Sequence, residues 1–411
     1  MNSDVGITGA PDQCRVRWLF TERRLTLLAL AIVLATTANY AASWVMWLFG
    51  GKPVFHNANC IDFTWIWLAS RFAASAVPMH VYDYAAFVSA KLALVGPPSC
   101  ILEHFDYPPT LLFFLYPLSA LPYSIAFVVW LAVTLVVYLA SVYAIMPHRT
   151  ALIVALAPAP VWNNVLLGHN GFLTAGLFGF ALVLAESRPR LAAIPLSLLT
   201  YKPQFGVLFP LALWASRRWR ALAAAAIGSV LFAAAAGLAF GYETWPAFVH
   251  SLSDRASALS ADPESVKYLV SLPFLVSLGV SSQVVWAVQI CTATCAAVLV
   301  YLIWAGSCPY ALKAAALAFG SLVASPNVFS YDLCILTIGS LFLVKDGLNR
   351  GFLRGERTFL LVCSGLVLLP FTLIPLTACF ALLGLTVSRV LRCPVQKSAL
   401  PQTGALKEAH A

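Results

Sequence analysis

Apolar residues run in long stretches along this chain, and polar residues are confined to short segments between them. A helix needs roughly 20 residues to cross a hydrocarbon core of about 30 Å. The first stretch, 25–50, is too long for a cleavable signal peptide and has no small-residue cleavage site, so we expect a retained transmembrane helix. The further stretches are 110–146, 151–185, 191–214, 221–240, 284–304, 311–324, 333–344 and 359–387. The pattern predicts an all-α polytopic membrane protein with about ten to thirteen transmembrane helices, some broken or half-spanning.

Composition excludes a soluble protein and sets the expected orientation. Charged residues are only 10% of the chain, against about a quarter in soluble domains. The net charge of +9 comes from basic clusters in short loops, which is typical of cytoplasmic segments and does not indicate nucleic-acid binding. We therefore expect a bacterial inner (plasma) membrane protein with both termini in the cytoplasm and residues 51–107 on the periplasmic side. The predicted division is a cytoplasmic segment 1–24, a single transmembrane domain 25–391 and a cytoplasmic tail 392–411.

The outer segment 51–107 contains two patterns typical of helices that lie in the membrane interface. The first runs from Asp62 to Ala74, with Trp65 and Trp67 at the expected level of the headgroups; the second is 82–93. Cys60 and Cys100 also fall in this segment, and an oxidising compartment would allow them to form a disulfide. Two free, partly buried thiols are the alternative.

Asp62 and Lys202 are the two charged residues with the clearest candidate chemistry. Partial burial of Asp62 would suit it to act as a general base, whereas capping the helix that follows it is an equally common role for Asp. Lys202 lies in the apolar stretch 191–214, which begins and ends beside basic loops. That stretch predicts two half-helices meeting at Lys202-Pro203, a break that must line a cavity or be buried. Lys202 then needs an anion, either a phosphate or a structural ion-pair partner.

Other polar residues fall at predicted outer turns or, for Arg71, on the predicted helix that follows Asp62. Candidates for contact with a phosphate or a sugar are Arg71, Tyr107, His169, Asn170 and Asp332. Placement among headgroups, turn formation and helix capping are the alternatives for them. No phosphate-binding glycine loop, nucleophile elbow or metal-spaced histidine pair is present, so no cofactor is indicated, although Asp62 and Asp332 could in principle share a divalent metal.

In order and spacing, these motifs resemble the membrane-embedded glycosyltransferases of family 87, which include mannosyltransferases that use polyprenyl-phosphate mannose. The resemblance covers roughly Asp62 to Asp332. It rests on Asp62-Phe63, Val81-Tyr82-Asp83, Tyr107-Pro108-Pro109, Gly168-His169-Asn170, Tyr201-Lys202-Pro203-Gln204, Ser325-Pro326 and Tyr331-Asp332. One departure is that the family usually has Gly-Gln where this chain has Gly168-His169.

The resemblance implies a GT-C type architecture. It also implies an inverting transfer of a monosaccharide from a polyprenyl-phosphate donor to a periplasm-facing lipid or glycan acceptor, with mannose as the first candidate for the sugar. Asp62 would be the general base, and Lys202 and Arg71 would bind the donor phosphate. Tyr107, His169, Asn170 and Asp332 would contact the substrate. The residues do not select mannose over arabinose, glucose or galactose. The alternatives are a secondary transporter or flippase for a lipid-linked sugar, and a non-catalytic membrane assembly factor in which Asp62 and Lys202 form only ion pairs.

Overall fold

The computed structural model describes residues 22–48, 62–95, 105–261, 271–366 and 373–393, and all regular structure in these ranges is helical. The α-helices are α1 Glu22–Leu48, α2 Phe63–Ala73, α3 Tyr84–Val95, α4 Leu112–Leu115, α5 Tyr123–Ile145, α6 Arg149–Leu156, α7 Ala159–Leu167, α8 Gly171–Ser187, α9 Ala193–Leu198, α10 Pro203–Gly206, α11 Leu208–Ala215, α12 Trp219–Phe240, α13 Thr244–Ala261, α14 Phe274–Ser277, α15 Ser282–Ala305, α16 Tyr310–Ala324, α17 Cys334–Arg350, α18 Glu356–Leu366 and α19 Leu373–Leu391. Short 3₁₀ segments are Pro78–Tyr82, Pro109–Leu111, Tyr116–Ala120, Leu199–Tyr201 and Ser330–Leu333. The predicted all-α class is confirmed.

Three of the described helices, α5, α12 and α15, are long and apolar enough to cross a membrane. Helices α6 and α7 add a fourth span if their 66° bend is counted within one crossing. Large apolar side chains such as Val128, Leu231 and Ile290 are exposed on the three long helices, which suits contact with lipid. Several other predicted spans consist of shorter apolar helices; Pro122, for example, separates 109–120 from α5. The protein is therefore a polytopic membrane protein with broken helices.

The centre of the described fold is made by α8 and α16, most of whose residues are buried. Helix α5 packs along α8, while α17 packs along α16 and also contacts α8. This buried core holds the turn before α8 and the segment between α16 and α17 next to each other. Both carry residues that the sequence analysis identified as candidates.

The segment 193–215 folds back on itself, as the sequence predicts. It starts shortly after α8 ends, and Lys202 at its middle donates a hydrogen bond to Asn170 at the start of α8. Just beyond its end, the Arg218 guanidinium lies 5.4 Å from the centre of the Tyr310 ring. The Tyr310 hydroxyl in turn donates to the carbonyl oxygen of Leu182, near the end of α8. The segment thus enters and leaves at one end of α8 and reaches the other end at Lys202.

A buried ionic network ties α17, α18 and α19 together. Nε of Arg389 lies 2.8 Å from Oδ2 of Asp346, and its Nη1 lies 2.8 Å from Oε2 of Glu356. Arg350 also pairs with Asp346. At 1.5 Å per helical residue, this network lies about 20 Å along α17 from Asp332. It stabilises the end of the bundle away from Lys202.

Helix α2 forms where the amphipathic pattern predicts it, but it is packed inside the protein. Phe63, Ile66 and Ala69 are fully buried, and Trp65 is only 7% exposed. Helix α2 contacts α4 and the 3₁₀ segments Pro78–Tyr82 and Tyr116–Ala120. Neighbouring segments therefore cover Trp65, and its ring contacts protein.

Several predictions lie outside the described residues. They concern Cys60 and Cys100, with their proposed disulfide, most of the segment 1–24 and nearly all of the tail 392–411.

Candidate functional site

Lys202 lies at the centre of a buried polar cluster. Its Nζ atom lies 2.5 Å from Oδ1 of Asp332 and 3.0 Å from Oδ1 of Asn170. The side chains of Lys202 and Asp332 are 2% and 0% exposed. Burying either charge alone is costly, and the pairing offsets that cost. The anionic partner that the sequence analysis required for Lys202 is thus supplied by the protein.

Breaks in the helices place these three residues. Lys202 has φ −134° and ψ 67°, between the 3₁₀ segment Leu199–Tyr201 and α10. The following Pro203 disfavours helical geometry at Lys202, so the break is encoded locally. Asp332 lies in the 3₁₀ segment before α17, and its Oδ2 accepts a hydrogen bond from the backbone N–H of Phe329. Asn170 occupies the N-cap position of α8.

The turn at Gly168 connects this cluster to the start of α2. Gly168 ends α7 with a φ of 64°, a conformation that glycine adopts without steric cost. Nε1 of Trp130 donates to the carbonyl oxygen of Gly168 at 3.0 Å. A Cβ at Gly168 would lie 2.6 Å from both Phe127 and Phe63. The turn therefore packs directly against the residue that follows Asp62.

His169 is buried between aromatic rings. Its ring stacks on Tyr331 with the centroids 3.6 Å apart, and Trp65 meets it edge-on at 5.1 Å. Burial lowers the pKa of His169 well below its usual range, and the positive charge of Lys202 lowers this pKa further. His169 is therefore neutral at pH 7.

Trp65, Tyr107, His169 and Tyr331 form what we call the aromatic wall. The rings of Trp65 and Tyr107 are stacked, with centroids 5.5 Å apart and planes 19° apart. The ammonium of Lys202 lies 5.8 Å from the centre of Tyr107 and 5.1 Å from the centre of Tyr331. Cation–π contacts of this kind favour the charged form of lysine. The wall thus joins Lys202 to the start of α2.

Asp62 stands at the edge of this cluster. It precedes α2 in the N-cap position and is half-buried, but its side chain makes no capping hydrogen bond. Burial raises the pKa of Tyr107, and the carboxylates of Asp332 and Asp62 raise it further. The charge of Asp62 also stabilises the ammonium of Lys202. The structure therefore places the Asp62 carboxylate near enough to Tyr107 and Lys202 for its charge to act on both, and its side chain does not cap α2.

Arg71 is not part of the cluster. It lies near the opposite end of α2 with its side chain exposed, and it donates to the carbonyl oxygen of Ser119 at 2.8 Å. Its guanidinium also lies 5.7 Å from the centre of the Trp67 ring. Asp332 belongs to the cluster, but its two carboxylate oxygens are bonded to Lys202 and to the backbone of Phe329.

A comparison with protein families identifies the chain. The model of glycosyltransferase family 87 matches residues 105–326, more than half of the 411 residues. The chain belongs to glycosyltransferase family 87. The family that its motifs resemble is thereby confirmed, and the protein is a glycosyltransferase. No curated protein and no solved structure matches the chain.

The family match is narrower than the resemblance stated from the motifs. It includes Tyr107, His169, Asn170 and Lys202, but it begins after Asp62 and ends before Asp332. The fold of this family 87 glycosyltransferase nevertheless pairs Asp332 with Lys202. It also places Asp62 near enough for its charge to act on the ammonium of Lys202.

Sequence reasoning missed residues that hold the family 87 site in place. Nδ2 of buried Asn164 donates to the carbonyl oxygens of Tyr331 and Pro160, both at 2.9 Å. The hydroxyls of Tyr201 and Thr174 lie 2.7 Å apart. A signal was available for Asn164, because a buried amide in an apolar helix must find a hydrogen-bond partner.

In the part of the chain that the structure describes, no group of three or more His, Cys, Asp or Glu residues is placed to hold a metal ion. Asp332, a possible metal ligand together with Asp62 from the sequence, forms an ion pair with Lys202.

Gly171 provides a test of how tightly the site is packed. A Cβ at this position would lie 2.3 Å from the Tyr331 carbonyl oxygen and 2.6 Å from Nδ2 of Asn164. We expect Gly171→Ala to destabilise the protein by about 1–3 kcal/mol, because overpacking outweighs the higher helix propensity of alanine. Thermal unfolding of the detergent-solubilised protein measures the effect.

Gly384 is the matched control for Gly171. It is also a helical glycine, in α19, but a Cβ there would meet nothing within 4 Å. Gly384→Ala should leave the unfolding temperature unchanged or raise it slightly. If the two variants are equally stable, the packing at Gly171 is looser than described.

Proposed function

We propose that this glycosyltransferase transfers a monosaccharide from a polyprenyl phosphate to a lipid or glycan acceptor on the periplasmic side of a bacterial inner membrane. Mannose is the first candidate for the sugar. The observation that carries the proposal is the position of Asp62. It is a half-buried carboxylate that does not cap its helix, and its charge acts on a buried ammonium and a buried phenol. A base beside a cation is the arrangement that transfer from a phosphate leaving group requires.

The proposed reaction is a single displacement. Asp62 removes the proton from the acceptor hydroxyl, and the acceptor oxygen bonds to the anomeric carbon. The bond from that carbon to the phosphate oxygen breaks, and its electron pair leaves with the polyprenyl phosphate. One displacement inverts the anomeric configuration.

Lys202 has a hydrogen-bond donor left for the leaving phosphate. An ammonium carries three N–H donors, and the described residues accept two of them, through Asp332 and Asn170. In the proposal, the third N–H stabilises the charge that develops on the phosphate. Asp332 positions Lys202 and does not itself contact the sugar.

The aromatic wall supplies neutral groups for the sugar. The raised pKa of Tyr107 keeps its hydroxyl protonated, and the lowered pKa of His169 keeps its ring uncharged. Both then bind sugar hydroxyls as uncharged groups, so neither adds a charge beside Asp62. Arg71 lies about 13 Å from Asp62 along α2, at 1.5 Å per residue. We therefore give it no part in the reaction.

Donor choice and product stereochemistry test this proposal. Purified protein in lipid nanodiscs is supplied with radiolabelled mannose, glucose, arabinose or galactose on a polyprenyl phosphate, or with the corresponding nucleotide sugars. We expect transfer only from a lipid-linked donor, with inversion at the anomeric carbon shown by NMR of the product. Transfer from nucleotide sugars, or retention of configuration, would contradict the proposal.

A further inference from the structure

Trp65 carries a buried hydrogen-bond donor that the proposed reaction has not used. It lies one helical turn after Asp62 and is 7% exposed. Within the described residues, its Nε1 atom has no hydrogen-bond partner. Leaving such a donor unpaired costs free energy, and buried tryptophan N–H groups usually find an acceptor.

Other tryptophans of this protein follow that rule. Nε1 donates to a backbone carbonyl oxygen at 3.2 Å in Trp67, at 3.0 Å in Trp130, at 3.1 Å in Trp162 and at 2.8 Å in Trp304. Trp65 departs from this pattern and also lies in the aromatic wall beside the candidate base. The two observations together indicate that a ligand supplies the missing acceptor.

The packing of Trp65 limits what that ligand contacts. Tyr107 stacks on the indole ring, while His169 and Phe105 meet it edge-on, with centroids 5.1 and 6.2 Å from its own. The indole ring is therefore enclosed by protein, and its N–H is a polar group without an acceptor among the described residues. Residues three apart lie on the same side of a helix, so Trp65 and Asp62 share one side of α2.

We propose that the indole N–H of Trp65 donates a hydrogen bond to an oxygen of the lipid-linked sugar phosphate and positions this donor beside Asp62. The inference rests on the proposed function, because it assumes that donor. A sugar hydroxyl and a phosphate oxygen offer the same acceptor chemistry. Trp65 is a substrate-positioning residue whose effect appears in donor use rather than in folding.

Trp65→Phe and Trp67→Phe form a matched pair on the same helix. Trp65→Phe removes an unpaired N–H but also part of a packed ring, so the unfolding temperature should fall no further than in Trp67→Phe, while kcat/KM for the donor falls by about tenfold or more. Removing the N–H of Trp67 breaks its bond to Leu121, so it should lower the unfolding temperature while kcat/KM stays within about threefold of the wild type.

A second variant separates the N–H from the ring. Benzothienylalanine at position 65, introduced by nonsense suppression, keeps the size and stacking of indole but lacks the N–H. It should reproduce the kinetic defect of Trp65→Phe. Wild-type kcat/KM in this isosteric variant would overturn the inference.

A binding experiment gives a readout that does not depend on turnover. With indole-¹⁵N tryptophan, the N–H signal missing from Trp65→Phe identifies residue 65. Adding polyprenyl phosphate alone should shift this signal if the acceptor is a phosphate oxygen. A shift only with the sugar-bearing donor would identify a sugar hydroxyl, and no shift with either would reject the proposal.

Failure of this inference is distinguishable from failure of the proposed function. If wild-type protein transfers sugar and Asp62→Asn does not, while the isosteric variant is fully active, only the role of Trp65 is wrong. If wild-type protein does not use a lipid-linked donor, the proposed function itself fails.

Discussion

Replacing Asp62 by asparagine should reduce sugar transfer by about 10²- to 10⁴-fold, the usual contribution of a general base. Asparagine has nearly the same size but does not accept the proton of the acceptor hydroxyl. Because the Asp62 side chain makes no capping bond to α2, protein level and donor binding should stay close to those of the wild type. Single-turnover rates in nanodiscs and binding of radiolabelled donor measure the two quantities separately.

Asp83 is the matched control for Asp62. It is also a carboxylate just before a helix, and its Oδ1 accepts a hydrogen bond from the backbone N–H of Ala86 at 3.1 Å. Asparagine caps a helix as well as aspartate does, so Asp83→Asn should keep activity within about twofold of the wild type. If Asp62→Asn keeps most of the activity, or if Asp83→Asn loses as much, Asp62 is not the base.

Replacing Lys202 by methionine should lower the free energy of unfolding and abolish sugar transfer. Asp332 would remain fully buried without its cation, and breaking a buried ion pair on one side costs about 3–5 kcal/mol. Asp332→Asn should be similarly destabilising, because it leaves the ammonium of Lys202 buried without a carboxylate. The double variant Lys202→Met with Asp332→Asn removes both charges, so we expect it to regain most of the lost stability and none of the transfer activity.

Thermal unfolding and transfer per folded molecule should be measured across the four proteins of this cycle. Arg389→Met is the remote control, since it breaks the buried contacts with Asp346 and Glu356 at the other end of the bundle. It should lower stability but leave the activity of the folded fraction intact. Activity in the double variant would show that Lys202 serves only the fold.

Much of the backbone was predictable because its signals are local. Proline after Lys202 predicts the break in 191–214, and Gly168 predicts the turn that ends α7, since both act within a few residues. Apolar runs similarly predict where helices form. Helix α2 was predicted by its amphipathic pattern, but the pattern did not show that protein would cover both Trp65 and the apolar residues around it.

The roles of the charged residues could not be settled in this way. The sequence favoured a phosphate as the partner of Lys202, with a structural ion pair as the alternative. Only the packing of α8 and α16 shows that Asp332, far away in sequence, lies 2.5 Å from it. Asp62 was equally consistent with capping and with catalysis, and the structure shows that its side chain makes no capping bond to α2. Arg71 was grouped with Asp62 because they share a helix, yet they lie near its opposite ends.

The amino-acid sequence by itself determined the membrane class, the all-helical fold, the broken segment around Lys202 and the family resemblance, because hydrophobicity, proline and glycine act over short distances. Only the tertiary structure decided which polar groups meet. It paired Lys202 with Asp332, placed the charge of Asp62 near that pair, separated Arg71 from it and buried the N–H of Trp65. These contacts depend on how distant helices pack, which no short stretch of sequence specifies.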